Sequence, residues 1–319
     1  MTLERESAIK KTMAKPRVSV VIPTYNRQHL VVEAIESVLA QTCTGFEVIV
    51  VDDGSTDATA DRIEPYRNRV TYTKQKNQGV AAARNTGIRL SQGEFVCFLD
   101  SDDLWEPVKL EKQLQFAAAH PEYALLSTEI QGFDAGHKAM GTNKAAMYDI
   151  RNGDVAERLL FGNWIQTSTV MLRRKCLDEV GWFDEDIGQF GEDWLLWMRV
   201  ASRFPIYFLP QPLVSYRFHH GRLTLYQPEA QFESLMRCVE KISAFPQFHK
   251  KKRLLRNVEY MICIGRAKGN LATGEYDRAK AKLERAYRLR TIPVMAALLM
   301  LRASIEKKFR KRRLVGADM

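Results

Sequence analysis

The chain has 319 residues, 45% hydrophobic and 27% charged, with a formal net charge of +10. That length can bury one large core or two, and the composition is that of a globular protein rather than a fibre or a disordered chain. The apolar run Pro293 to Leu301 is under half of the ~20 residues a membrane span requires, and Met1 to Lys15 is polar without an apolar signal core, which argues against a span and a secretion signal. Five scattered cysteines, Cys43, Cys97, Cys176, Cys238 and Cys263, form no CxxC pair and suit reduced thiols in a cytoplasm better than a disulfide frame or a zinc site. The charge is uneven. Residues 250–319 carry 20 Lys and Arg against 6 Asp and Glu, a local +14, while residues 1–249 carry −4. The basic end can meet anionic lipid, nucleic acid or only solvent.

In chain order, a polar tail (1–15) precedes short β-rich runs at Val18 to Ile22, Phe46 to Val51, Val70 to Thr73 and Glu94 to Leu99. Helical patterns fall between them, near 28–41, 56–66 and 78–91. Strand and helix alternating at this spacing predict a parallel sheet with helices on both faces and a ligand at the carboxyl edge of the strands. Three polar turns converge on that edge: Pro23-Thr24-Tyr25-Asn26-Arg27, Asp52-Asp53-Gly54-Ser55-Thr56-Asp57 and the acidic cluster from Asp100 to Asp103. From 104 to 220 the alternation is less regular, with a helix near 107–119, strands near 123–130 and 166–172, a helix near 191–203 and a strand near 212–218. Beyond Gln227 the pattern is helical, and Ile264 to Ala279 resembles a single tetratricopeptide-type hairpin, which needs neighbours to bury its faces. The expected organisation is a tail (1–15), a catalytic domain (16–226) and a basic helical region (227–319).

The sharpest signal is Phe98-Leu99-Asp100-Ser101-Asp102-Asp103. Acids crowded at the end of a buried strand repel one another unless a cation sits among them, and hard oxygen ligands suit Mg2+ or Mn2+ carrying a diphosphate. The same acids can instead cap a helix beginning near Pro107. Asp53 can accept the N3–H of a uracil, with Gly54 letting backbone approach the ligand, or it can cap the next helix. Gly79 to Gly87 opens a helix whose small residues permit close approach to the sheet, and Arg84 can reach a diphosphate or stand as a surface arginine. Glu192 and Asp193 follow the glycine-bracketed turn Gly188 to Gly191; a carboxylate there can deprotonate an incoming hydroxyl, and acids also favour a first helical turn. His219 or His220 can complete a cation's shell, or be incidental.

Taken in order, Val18 to Arg27, Asp52 to Asp57, Ala82 to Ile88, Leu99 to Asp103, Gly181 to Glu185, Gly191 to Asp193 and Tyr216 to His219 resemble the family 2 inverting glycosyltransferases of the GT-A fold, over about residues 16–221. The resemblance implies an α/β fold with a Rossmann-like, mostly parallel sheet and a helical C-terminal extension. It implies a nucleotide-sugar donor of UDP type, held by Pro23, Tyr25, Arg27, Asp53, Arg84, Asp100 and Ser101. Asp102, Asp103 and His219 would serve the Mn2+ or Mg2+ ion, Asp193 would be the catalytic base and Glu192 its neighbour. The acceptor would be a glycan or a lipid-linked hydroxyl of a cell envelope polysaccharide, with no nucleic acid partner. The Gln-x-x-Arg-Trp signature of processive synthases is missing, which favours single-sugar transfer. Met295 to Leu301 followed by Lys307 to Arg313 suits peripheral contact with anionic lipid at the inner face of a membrane. Two rivals remain. A nucleotidyltransferase acting on sugar phosphates also places acids and a metal at strand ends, though no glycine-rich loop follows the first strand. A membrane-surface or partner-binding module would use the C-terminal helices, with a weak or lost transferase site.

Overall fold

Seven consecutive buried residues, Val18–Thr24, form β1, flanked on both sides by the parallel strands β2 (Phe46–Asp52) and β4 (Phe95–Phe98). Such a strand has no solvent face, which is why it reads as a continuous apolar run instead of an alternating one. Of its two polar residues, Ser19 and Thr24, Ser19 is satisfied: its hydroxyl donates to Glu47 Oε1 at 2.6 Å and accepts from the Gly93 amide at 2.8 Å. The computed structural model describes residues 15–134, 138–140, 150, 152–218, 227–289, 295 and 297–300. His219, His220, the basic run Lys307 to Arg313, four residues of the apolar run (Pro293, Val294, Ala296 and Leu301) and all of the expected tail but Lys15 lie outside them.

The remaining strands are β3 (Thr71–Lys74), β5 (Leu104–Trp105), β6 (Leu125–Asp134), β7 (Ala139–Met140), β8 (Met171–Arg173) and β9 (Ile206–Phe218). They join one sheet in the order β3-β2-β1-β4-β8-β6-β9-β5, with β7 beside β6. The first half is parallel, as the strand and helix alternation predicts. The second half is mixed: β8 runs antiparallel to β4 and β6, and β5 to β9, while β6 and β9 are parallel.

Two elements differ from the sequence pattern. The run at 166–172 is a strand only over Met171–Arg173; Thr167–Thr169 forms a 3-10 turn because its hydroxyls bond elsewhere, Thr169 Oγ1 to Gln166 O at 2.7 Å and Ser168 Oγ to Asp103 Oδ2 at 2.6 Å. The last strand starts six residues before 212. Pro210 and Pro212 lack the amides a regular ladder uses, and the register against β6 shifts around Glu129 to absorb them.

Helices α1 (Val31–Leu39), α2 (Thr59–Ile63), α3 (Val80–Leu90), α4 (Lys109–Ala119), α5 (Ala156–Leu159), α6 (Arg174–Val180) and α7 (Glu192–Ala201) accompany the sheet. In α1 the buried residues Val31, Ala34, Ile35 and Val38 recur at the spacing of one helix face. They join a core with Val18, Val20, Ile22, Val48 and Val50. A second set comprises α8 (Pro228–Ser243), α9 (Lys252–Ala272) and α10 (Tyr276–Leu289). Its core holds Phe232, Met236, Cys263, Ala267, Leu271, Ala279, Leu283 and Ala286, and α9 with α10 forms the single hairpin anticipated at 264–279. Among the described residues the chain groups into two compact units, one within Met1–Asp186 and Glu192–His220, the other within Ile187–Gly191 and Gly221–Met319. The short loop Ile187–Gly191 thus belongs with the helices, although it interrupts the span expected for the catalytic domain. Among the described residues no helix is long and apolar enough to cross a membrane.

The small residues of α3 have a clear purpose at Gly87, where an added Cβ would overlap the side chain of Val21 in β1. Overpacking of a dense core costs about 1–3 kcal/mol, so Gly87→Ala is expected to lower the stability measured by urea unfolding by that amount. An unchanged unfolding midpoint would show that α3 does not need this close approach.

Candidate active site

Close packing of α3 on the sheet carries Arg84 into the interior, where 4% of it is exposed. A buried guanidinium must be paired, and this one is paired twice. Nη2 donates to Asp100 Oδ1 at 2.7 Å and Nη1 to Glu192 Oε1 at 2.6 Å, while the ring of Phe183 lies 5.2 Å from the guanidinium carbon. Arg84 therefore joins the acidic loop after β4 to the first turn of α7, its bond to Glu192 spanning 108 residues of sequence. The neighbouring Asn85 does the same for the loop before α7: it exchanges hydrogen bonds with the backbone of Phe183 and donates to Glu185 Oε1.

Thr167 and Ser168 supply a second link. Ser168 Oγ accepts from the Asp100 amide at 3.2 Å and donates to Asp103 Oδ2 at 2.6 Å. Thr167 Oγ1 lies 3.4 Å from Asp193 Oδ2, which also accepts from Asn163 Nδ2 at 3.0 Å. Asp193 Oδ1 takes the Trp194 amide at 2.6 Å. Asp100, Asp103, Glu192 and Asp193 are thus parts of one bonded cluster. The three sequence positions that hold it together, Asn163, Thr167 and Ser168, escaped the sequence reading; their only signal is a polar stretch where a strand was expected.

Burial separates the acids. Glu192 and Asp103 are enclosed, whereas Asp193, Asp100 and Asp102 are half-buried. Burial, then the neighbouring Asp193, pushes the Glu192 carboxyl up to about 7 against the pull of Arg84. Burial likewise raises Asp193, with Asp100 adding to it and Arg84 opposing. Asp103 is held well above the usual carboxylate range by burial and by Asp102 and Asp100.

The acidic loop does not cap a helix. The residue before α4 is Val108, which makes no side-chain cap, and Asp103 spends its oxygens on Ser168 and on the Arg217 amide at 3.1 Å. Arg217, from β9, also donates through Nε to the Asp102 carbonyl and through Nη2 to Glu33, so it fixes the loop's backbone. Ser101 is buried beside it. Asp53 does not cap a helix either; Asp57 Oδ1 takes the Thr59 amide. Instead Asp53 is 4% exposed and accepts from Gln75 Nε2 (2.8 Å), the Gln78 amide (2.9 Å) and the Gly79 amide (2.8 Å). Gly54, at φ +83°, brings its backbone against Asn77 rather than leaving room for a ligand: a Cβ would sit 2.8 Å from the Asn77 amide nitrogen.

The first two turns are stitched together. Asn26, in the left-handed region at φ 51°, accepts the Thr56 amide through Oδ1 and gives its own amide to Ser55 Oγ. Arg27, half-buried, gives its amide to Thr59 Oγ1. Pro23 is buried at the end of β1, and Tyr25 next to the turn is 45% exposed, an aromatic ring that nothing in the core requires. Because β1 lies between β2 and β4, the turns bearing Tyr25, Asp53 and Asp102 share one sheet edge.

A model of glycosyl transferase family 2 matches residues 19–181 of this sequence. The putative teichuronic acid biosynthesis glycosyltransferase TuaG of Bacillus subtilis is 33% identical over 222 residues, 66% of this chain and 82% of that protein. The chain belongs to glycosyl transferase family 2. An uncharacterized glycosyltransferase of Rickettsia felis is 33% identical over 243 residues, 76% of this chain but 39% of its own length; the chain spans only part of such larger relatives. Among solved structures, S. aureus TarS 1-349 in complex with UDP-GlcNAc has a TM-score of 0.66 at 22% identity, covering 92% of each chain. A mannosyltransferase, PcManGT from Pyrobaculum calidifontis, in complex with GDP-Man and Mn2+, has a TM-score of 0.61 at 20% identity over 98% of this chain and 90% of that one. These likenesses establish the GT-A architecture. The family match includes Asp53, Arg84, the Asp100–Asp103 loop and Ser168, and stops before Glu192, Asp193 and Arg217.

Among the described residues no three side chains of Asp, Glu, His or Cys close around a cation position. Asp103 is enclosed and accepts from Ser168 and the Arg217 amide, Asp102 and Asp100 in the same loop are half-buried, and His219 lies outside the described residues. One or two carboxylates with the rest of the shell from phosphate and water is the donor set a hard cation such as Mg2+ takes when it comes with a nucleotide. The oxygen-rich loop fits that chemistry.

The raised Glu192 carboxyl has a measurable consequence. A carboxyl that holds its proton more tightly when folded adds nothing to the pH dependence below its ordinary value of about 4.5, and destabilises increasingly as pH rises towards about 7. The stability of the native chain relative to Glu192→Gln is therefore expected to fall with rising pH across that window and to level off above it, in urea unfolding at a series of pH values. A difference that is flat, or that grows with pH, would contradict the burial argument.

Proposed function

We propose that the chain is an inverting, divalent-metal-dependent glycosyltransferase that moves one sugar from a nucleotide diphosphate donor, of UDP type, to a hydroxyl of a glycan or lipid-linked acceptor. The observation that carries this reading is the joining of two acidic segments, Asp100–Asp103 and Glu192–Asp193, into one cluster through Arg84 and Thr167–Ser168. Donors bound to the UDP-GlcNAc complex of TarS and the GDP-Man and Mn2+ complex of PcManGT support a nucleotide sugar and a divalent ion.

In this reading Asp193 is the general base. It is the member of the Glu192–Asp193 pair with exposed surface, and its raised affinity for a proton brings it nearer to the range in which a carboxylate can take one from a hydroxyl. Asn163, Thr167 and the Trp194 amide hold its oxygens in place. The acceptor oxygen then attacks the anomeric carbon from the side opposite the diphosphate, and configuration inverts. Asp102 would hold the Mn2+ or Mg2+ ion, whose chemistry is to neutralise charge on the departing diphosphate. Asp103, with Ser168 and Arg217, fixes the loop. Arg84 keeps Asp100 and Glu192 in register, a structural use of a residue that could have met the donor. Asp53 has three of its roughly four acceptor sites filled by protein donors; the remaining one suits the N3–H of uracil, beside Pro23 and Tyr25.

A ligand that binds only the native state raises its melting temperature, so a panel of UDP and GDP sugars with and without Mn2+ is the direct screen. A UDP sugar should stabilise the protein only when Mn2+ is present, and Asp102→Ala should abolish the metal-dependent part. Asp193→Asn should keep that binding while turnover falls by about 10²- to 10⁴-fold. Metal-independent stabilisation, normal turnover by Asp193→Asn, or release of pyrophosphate in place of a nucleoside diphosphate would overturn the reading.

A further inference from the structure

Lys109, the first residue of α4, is fully buried, and so is Gln113 one turn on. Burying an ammonium is costly unless it is partnered, yet among the described residues Lys109 has no ion pair. Its Nζ donates to Gln113 Oε1 at 2.7 Å and lies 3.9 Å from the centroid of the Trp105 ring. Burial pushes the ammonium down to about 8, so at neutral pH it stays protonated and offers only donors. Filling the core alone would call for an apolar side chain at this position.

The two side chains that Lys109 meets hold successive carbonyls of one turn. Because the ammonium can only donate, it takes the oxygen end of the Gln113 amide and leaves the nitrogen end to find acceptors. Gln113 Nε2 donates to Thr169 O at 3.0 Å and to Leu126 O at 3.4 Å. The indole beside Nζ donates from Trp105 Nε1 to Ser168 O at 2.8 Å. Ser168 and Thr169 belong to the 3-10 turn before β8. The Ser168 hydroxyl carries the constraint onward: it accepts from the Asp100 amide and donates to Asp103 Oδ2. One oxygen thus clamps both ends of the Asp100–Asp103 loop, with Ser101 and Asp102 between them.

We propose that Lys109, Gln113 and Trp105 are positioning residues that fix the Ser168 turn and, through its hydroxyl, the place of Asp102. The inference rests on the reading of that loop as the metal-bearing one. Every contact in the chain from Lys109 to Asp103 lies within one compact unit. Groups that orient an ion's ligands from behind typically change metal affinity by about 10- to 100-fold when they are removed, and the Lys109 triad acts one step further back than Ser168, so the lower end of that range is expected.

The test compares the full native chain with Lys109→Met, which keeps an unbranched side chain and removes its donors. Amide hydrogen exchange needs no ligand: the Asp100, Thr169 and Val170 amides should exchange about 10-fold faster or more, with β1 still protected. Mn2+ binding in the presence of UDP, followed by the paramagnetic resonance signal of the free ion, should weaken by about 10-fold. Ser168→Ala should weaken it at least as much, and adding Lys109→Met to Ser168→Ala should weaken it by less than about 2-fold further, since the path to the loop is already cut. Unchanged exchange at these amides, unchanged Mn2+ affinity, or a full further loss in the Ser168→Ala background would each overturn the proposal. If the native chain binds no Mn2+ with UDP present, the metal reading has failed while the exchange result still decides whether the triad sets the turn. Should Lys109→Met not fold, Trp105→Phe, which keeps a ring beside Nζ but removes the donor to Ser168 O, gives the same readouts.

Discussion

One guanidinium surrounded by carboxylates is the constraint from which the rest of this site follows. Two acidic segments distant in sequence must come within a few ångströms of one another, and like charges in a poorly solvated setting repel. Arg84 resolves the conflict by donating to Asp100 with one nitrogen and to Glu192 with another. Such a pairing is costly to break from one side only, because the remaining charge is stranded in the interior. It also imposes demands backwards through the fold. Arg84 reaches the cluster only because α3 lies tight on the sheet, and α3 lies tight because Gly87 faces Val21 with no side chain between.

The two halves of the sheet then divide the work. The parallel half, β3-β2-β1-β4, ends in turns that hold one another: Asn26 to Thr56 and Ser55, Asp53 to Gln75, Gln78 and Gly79. These bonds make a firm rim that carries Tyr25 and Asp53, the residues the proposed function assigns to the nucleoside. The mixed half contributes groups that set the acids: Ser168 from the 3-10 turn before β8, and Arg217 from β9. Within the acidic cluster, burial assigns the parts. Enclosed Glu192 and Asp103 are bonded to protein, whereas Asp193 and Asp102 keep part of their surface exposed, the basis on which the proposed function assigns them to acceptor and ion.

Much of this was readable before any coordinates. The apolar runs of β1, β2 and β4 are short and unbroken, and such strands cannot be mistaken once helical patterns alternate with them. The acid-bearing turns at their ends follow directly, and the seven motifs in order pointed to the right family. What could not be read is what depends on partners distant in sequence. Arg84 looks like a surface arginine or a phosphate ligand until Asp100 and Glu192 arrive beside it. Thr167–Thr169 has the β-branched residues of a strand, but its hydroxyls are drawn to Asp103 and Gln166 and the backbone turns. Pro210 and Pro212 hid the first half of β9, because a bulge that tolerates them is visible only against β6. The capping roles available to Asp53 and to the Asp100–Asp103 loop were excluded only when their carboxylates were found bonded elsewhere.

Arg84 neutralises carboxylates that would otherwise be buried without a cationic partner. A double-mutant cycle on stability tests it, with Arg84→Met, Glu192→Gln and the pair measured by urea unfolding near neutral pH. Arg84→Met alone should lose about 3–5 kcal/mol, because it strands Glu192, and adding Glu192→Gln should recover a substantial part of that loss. If instead the two losses simply add, Arg84 and Glu192 act independently and the cluster is held together by something other than this ion pair.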